Sequence, residues 1–174
     1  MLTGAAYLCA TDLPASVEVS LAGGILRGMT TSKPMSLQKV PGHLIRRAQQ
    51  LSVAAFMDET EGEDITPVQF AMLNTLADTS GVDQVTLASM VGFDPATSGS
   101  VISRLETKGW IRRQEDPDDR RRKLLSITAD GRRVVQRLQK QVDRVQARIL
   151  EPLTAVESRQ LVRLLAKLVA GHES

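Results

Sequence analysis

At 174 residues and a net charge of +2, with 42% hydrophobic and 24% charged residues, the chain has the size and composition of one soluble globular domain carrying an extension. One Trp, one Tyr and three Phe are too few for a typical β-sandwich or barrel, so a mainly α fold is expected. A lone cysteine, Cys9, with only His43 and His172 beside it, excludes an internal disulfide and leaves no metal site and no cofactor expected; no apolar run approaches the roughly 18 residues of a membrane span.

Residues 1–38 are rich in Gly, Ala, Ser and Thr, are broken by Gly23-Gly24 and Pro34, and hold no lasting apolar period. They read as an irregular N-terminal extension. Residues 1–13 lack a basic start and meet Asp12 early, which makes a poor secretory signal, so a cytoplasmic address without a membrane partner is expected.

From Pro41 the chain becomes periodic. Leu44, Ala48, Leu51 and Ala55 recur at helical spacing up to an acidic loop at 58–64. Thr66-Pro67-Val68-Gln69 is a helix start with a capping box, and Phe70, Leu73, Leu76 and Ala77 supply its buried face. Asp83 caps a short helix carrying Val85, Leu87, Ala88 and Val91, which Gly92 stops. Asp94-Pro95 opens another, running to Lys108 and ending at Gly109.

The period then changes. Residues 110–113 and 123–127 are strand-like and enclose the turn-rich Asp116-Pro117-Asp118-Asp119, a hairpin with a long charged tip. Thr128 caps a long helix with Val134, Leu138, Val142, Val145 and Ile149 on one face, which Pro152 ends. Thr154 to Glu157 is a second capping box, opening a last helix with Leu161, Leu164, Leu165 and Leu168 aligned. These two apolar faces need burial, either inside the chain or against a second copy.

Charge is unevenly spread. Residues 40–83 hold two arginines against seven acids, whereas 129–150 hold six cations against two acids. The positive charge therefore sits in the middle and later part of the chain, as a nucleic-acid surface or as a solvated helix face.

Two short helices joined by a tight turn and followed by a hairpin make a winged helix-turn-helix. Ala88 is small where the helices must cross, and Gly92 permits the positive φ of the turn. Leu87, Val91, Phe93 and Val101 fit a miniature core; Ser98 departs from the pattern, where a branched apolar residue is usual. The second helix is expected to present Ala96, Thr97, Ser98, Ser100, Ser103 and Arg104, small and hydroxyl-bearing residues suited to a major groove, although an ordinary polar face has the same composition. The hairpin tip gathers Asp119, Arg120, Arg121, Arg122 and Lys123. An arginine there can enter a minor groove, and a neighbouring carboxylate can orient its guanidinium.

The run Leu87-Ala88, Gly92, Arg104-Leu105-Glu106, Gly109-Trp110-Ile111, Asp116-Pro117-Asp118-Asp119-Arg120-Arg121 and Ser126 to Gly131 resembles the MarR family of bacterial transcriptional regulators. The resemblance covers residues 40–172 and implies a triangular homodimer that binds double-stranded DNA and is not an enzyme. It divides 39–174 into dimerisation helices at 39–65 and 129–174 and a DNA-binding lobe at 66–128. It makes 95–108 the recognition helix, Arg121 the minor-groove residue and Asp119 its positioner.

The resemblance also implies a small-molecule effector. His43, Arg46, Arg47 and Gln50 lie close to one helix face, and arginine suits a planar carboxylate, so an aromatic acid or related phenolic is expected as the ligand of a repressor. Arg46 and Arg47 in structural ion pairs, or facing solvent, is an equal reading. Two alternatives compete: redox sensing through Cys9, which has no cation near it in sequence, and a protein-interaction module using the same winged helix.

Overall fold

The structure, a computed structural model, describes residues 36–172 except Ser80 and Arg120. The irregular reading of residues 1–35, and Cys9 with it, lies outside the described residues. Residues 36–38, expected in that extension, instead lead into the domain: Leu37–Lys39 forms one 3₁₀ turn, and Val40 N donates to Leu37 O at its end.

Six helices and one hairpin follow. They are α1 (Pro41–Glu59), α2 (Pro67–Asp78), α3 (Gln84–Met90), α4 (Pro95–Thr107), β1 (Ile111–Glu115), β2 (Lys123–Ile127), α5 (Ala129–Leu150) and α6 (Ala155–Ala170). Local chemistry sets most of the boundaries. Thr66 and Thr154 make full capping boxes with Gln69 and Glu157, while Asp83, Asp94 and Thr128 accept from first-turn amides. Gly92 at φ +62° and Gly109 at φ +70° turn the chain out of α3 and α4.

The hairpin is antiparallel, from Ile111 opposite Ile127 to Glu115 opposite Lys123. Val82 adds a single bridge to Leu125, which ties the α2–α3 connection to the sheet. The core is continuous: Met72, Leu73 and Leu76 of α2 meet Leu87, Ile102, Leu105, Leu125 and Leu138, all fully buried. Burying a side chain of this size contributes about 1.5–3 kcal/mol, so this cluster holds helices and hairpin as one unit. Phe56 brings α1 to it, packing on Phe70 with ring centroids 6.0 Å apart.

In α3 Leu87 and Ala88 are buried, while Val85 is 62% exposed. The expected α1 stripe is buried only at its C-terminal end, at Ala55, while Leu44, Ala48 and Leu51 are exposed. In α6 no residue is buried: Leu161, Leu164, Leu165 and Leu168 line up as expected and stay exposed among the described residues. No helix among the described residues is long and apolar enough to cross a membrane.

Candidate nucleic-acid interface

Helices α3 and α4 cross closely because small residues stand at the contact. Ala88 is fully buried, and a Cβ on Gly99 would stand 3.2 Å from Gln84 Nε2. Phe93 N donates to Ala88 O at 2.9 Å and closes the turn between the helices. With its buried side fixed by Ile102 and Leu105, α4 leaves Ala96, Thr97, Ser100, Ser103 and Arg104 exposed, as expected.

Ser98 does not join them. It is fully buried, and its Oγ donates to Pro95 O at 2.7 Å, which satisfies the hydroxyl without a partner from outside. It occupies the core position where an apolar residue is usual, and its place in the expected DNA-facing set is corrected accordingly.

The exposed hydroxyls are ordered by their own helix. Thr97 Oγ1 donates to Asp94, and Ser100 Oγ donates to Thr97 O at 3.0 Å. Their oxygens keep free lone pairs, so this face can accept hydrogen bonds as well as fit closely against a groove.

The hairpin tip is built by carboxylates acting on backbone. Asp116 is buried; its Oδ1 accepts from Asp118 N at 3.0 Å, and its own N donates to Arg122 O at 3.1 Å. Asp119 Oδ1 accepts from Arg121 N at 2.9 Å. The expectation that Asp119 orients the Arg121 guanidinium is corrected here: it holds the backbone of Arg121, and among the described residues the guanidinium makes no ion pair. Arg121 is exposed.

Two of the expected tip cations are committed elsewhere, and Arg120 lies outside the described residues. Arg122 Nη2 stands 2.8 Å from Asp83 Oδ2, and Nη1 stands 3.6 Å from Asp116 Oδ2. Asp83, held by the Thr86 amide and by Arg122, has its carboxyl below the usual carboxylate value; the same carboxylates push the Arg122 guanidinium still higher. Lys123 pairs with Glu115 across the strands at 2.7 Å, which lowers the Glu115 carboxyl. Arg122 and Lys123, expected among the DNA-facing residues of the tip, therefore anchor the hairpin, and among the described tip cations Arg121 alone makes no ion pair.

Sequence reasoning missed Arg113. From β1 it pairs with Glu106 at 3.1 Å and donates to Ser103 Oγ at 3.5 Å, tying the hairpin to the exposed face of α4. Strand alternation placed Arg113 on the hairpin, but nothing local indicated which helix it would reach. The positive balance of 129–150, open to reading as a nucleic-acid surface or a solvated helix face, is in part neutralised within the domain. Arg137 pairs with Glu63, Arg144 with Glu59 and Arg148 with Asp58, so the acidic loop and the end of α1 neutralise one side of α5.

His43, Arg46, Arg47 and Gln50 fall on the N-terminal half of α1. His43 is half-buried and the other three are exposed, and Arg46 and Arg47 make no ion pair among the described residues. They do not line the open cleft of about 330 Å³ between α3 and the hairpin, whose walls include Gln84, Val85, Arg113, Arg122 and Lys123.

The MarR family model matches residues 65–123, the segment from the loop before α2 to the start of β2. The transcriptional regulator HosA of Escherichia coli O157:H7 is 30% identical over 135 residues, which span 78% of this chain and 98% of that protein. The PcaV transcriptional regulator of Streptomyces coelicolor, solved in complex with its natural ligand, has a TM-score of 0.73 and 36% identity, covering 82% of this chain and all of that one. BpsR of Bordetella bronchiseptica, whose DNA binding is regulated by 6-hydroxynicotinic acid, has a TM-score of 0.74 and 31% identity, covering 79% of this chain and 98% of that one. With its capped helix pair, charged hairpin and full-length relatives, the chain belongs to the MarR family of transcriptional regulators.

Proposed function

We propose that the protein is a homodimeric repressor in the cytoplasm that binds a pseudo-palindromic operator and is released by a small aromatic carboxylate or related phenolic. The observation that carries the DNA-binding part is the free Arg121 guanidinium on a hairpin that Arg113 ties to the exposed hydroxyl face of α4. Ala96, Thr97, Ser100, Ser103 and Arg104 would enter the major groove while Arg121 reaches the adjacent minor groove. Asp119 shapes the turn that presents Arg121, and Arg122 and Lys123 hold the hairpin where its strands enter the tip.

Dimerisation is supported by the apolar faces of α1 and α6 that no described residue covers, with Leu44, Ile45 and Leu51 on one and Leu161, Leu164, Leu165 and Leu168 on the other. Faces of this size are costly in water, and a second copy would cover both. Two copies of α4 about one duplex turn apart would read half-sites about 10 base pairs apart.

The effector class is supported by the relatives, of which BpsR responds to an aromatic acid. A second copy would also wall the solvent side of α1, where His43, Arg46, Arg47 and Gln50 could receive a carboxylate. Release follows if the ligand prefers a dimer whose α4 helices are wrongly spaced for successive grooves; operator and ligand must then weaken each other by the same factor.

The test is a fluorescence-anisotropy titration against duplex DNA from immediately upstream of the protein's own gene. It is run at two salt concentrations, with and without a panel of aromatic acids that includes 6-hydroxynicotinic acid. Tight, salt-sensitive binding relieved by one acid is the expected result. Binding that no acid relieves would remove the effector class, and absence of specific binding would remove the operator reading.

A further inference from the structure

Lys108 stands at the C-cap of α4, where its N donates to Arg104 O and Glu106 O. Its side chain folds back from the exposed face of the helix. The ammonium lies 4.6 Å from the centre of the Trp110 ring and 2.8 Å from Asp64 Oδ2, and it also donates to the Asp64 carbonyl. The Lys108 side chain is 22% exposed, less than any other ion-paired cation among the described residues; in the hairpin Arg122 keeps 53% and Arg113 31%. The Asp64 carboxylate is itself 97% exposed, so the ion pair alone contributes little, but ring, carbonyl and carboxylate all meet this one ammonium.

Asp64 belongs to the connection between α1 and α2. Its neighbour Glu63 accepts from Arg137 of α5 at 2.7 Å, and its other neighbour Ile65 is buried in the core at 3% exposure. Adjacent residues of one short loop thus grip α5 on one side and the end of α4 on the other. Glu59, at the end of α1, adds a second grip on α5 through Arg144 at 2.7 Å.

We propose that Lys108 is a positioning residue: through Asp64 it ties the end of α4 to the corner where α1 meets α5, and so sets the spacing at which two α4 helices meet DNA. The inference rests on the DNA-binding reading above. It makes the Glu63-Asp64 pair the link through which a movement of α1 and α5 reaches α4. Lys108 acts through Asp64 and Trp110 and does not contact phosphate itself.

The test uses the full chain, Lys108→Met and Asp64→Asn, and the duplex from upstream of its own gene, intact or with one base pair inserted at its dyad. Wild type is expected to reject the inserted duplex. Both variants should bind the intact duplex roughly two- to thirtyfold more weakly, discriminate less between the two duplexes, and keep the wild-type dependence on salt. If Lys108→Met lowers the salt slope by about one ion per protomer, the lysine is a phosphate contact and the proposal is overturned. It is overturned equally if Asp64→Asn discriminates as wild type does. A wild-type chain that binds neither duplex would take down the DNA-binding reading and this inference together.

Discussion

Arg122 in the hairpin and Asp83 at the head of α3 are 39 residues apart in the chain, and their side chains meet at 2.8 Å. The same Asp83 carboxylate caps α3 by accepting from Thr86 N at 2.9 Å, so one side chain starts a helix and holds the wing against it. Two jobs in one carboxylate can be separated by substitution. Asp83→Ala loses both and is expected to lower stability by about 1 kcal/mol through the lost cap. Asp83→Asn keeps a capping oxygen and loses the charge, so its urea midpoint should fall less than that of Asp83→Ala while the hairpin amides of Asp118, Asp119, Arg121 and Arg122 exchange faster with solvent. Equal exchange in the two proteins would show that the ion pair does not restrain the wing.

The pH dependence of this link has a definite sign. The Asp83 carboxyl lies below its usual value because the Thr86 amide and the Arg122 guanidinium both favour the charged form. A depressed carboxyl contributes stability that is complete above its unfolded value, near pH 4, and is lost as pH falls through the folded value. The difference in urea midpoint between wild type and Asp83→Ala should therefore be constant from pH 8 to 5. Its charge-dependent part should shrink only below about pH 4. A difference that changes between pH 7 and 6 would assign the effect to another group.

Arg121 and Arg122 are neighbours with opposite expected phenotypes. Arg121→Ala removes a side chain with no ion-pair partner among the described residues, so thermal stability and dimerisation should not change. Operator affinity should fall by on the order of 1–3 kcal/mol. Arg122→Ala releases the hairpin from Asp83 and Asp116 and should weaken binding through wing mobility, with a visible rise in hairpin exchange. Loss of the dimer in Arg121→Ala would mean that this residue lies at a subunit contact instead.

What could be read in the sequence was local. Thr66 with Gln69, Thr154 with Glu157, and Asp83, Asp94 and Thr128 at their helix starts all act within three residues, and every one of these caps is present. The misreadings involve partners far apart in the chain. Arg137 and Glu63 are 74 residues apart and Arg144 and Glu59 are 85, so a count of charge in 129–150 could not reveal that these cations are paired. Ser98 failed for another reason: helical period puts it at a core position, but only the bond to Pro95 O makes a buried hydroxyl tolerable there. Ser98→Ala should accordingly leave operator affinity unchanged, whereas Ser100→Ala on the open face should reduce it.

Gly131 has no Cβ because there is no room for one. A methyl group there would meet the Trp110 carbonyl and stand 2.8 Å from Ile127 Cγ1. The close approach is fixed by Thr128, whose N donates to Trp110 O at 2.9 Å and whose Oγ1 both donates to Gly109 O and accepts from Gly131 N. Gly131→Ala gains helix propensity of about 1 kcal/mol but must push α5 off the hairpin, an overpacking cost of about 1–3 kcal/mol. A net loss of stability is expected, read as a lower urea midpoint at unchanged m-value. A variant as stable as wild type would show that α5 can slide along its axis without cost.

Helix α6 has no buried residue among the described residues. If a second copy covers it, Leu165→Glu with Leu168→Glu places two charges in that interface, where each would be desolvated without a partner. Sedimentation equilibrium should then report a monomer. The α2 and α4 amides around Leu73, Leu76 and Leu105 should stay protected from exchange, because none of their packing involves α6. Operator affinity should fall by on the order of 10²–10⁴, the advantage lost when two linked half-site contacts become one. A double variant that still sediments as a dimer would mean that the subunits meet elsewhere, and the exposed leucines of α6 would need a different partner.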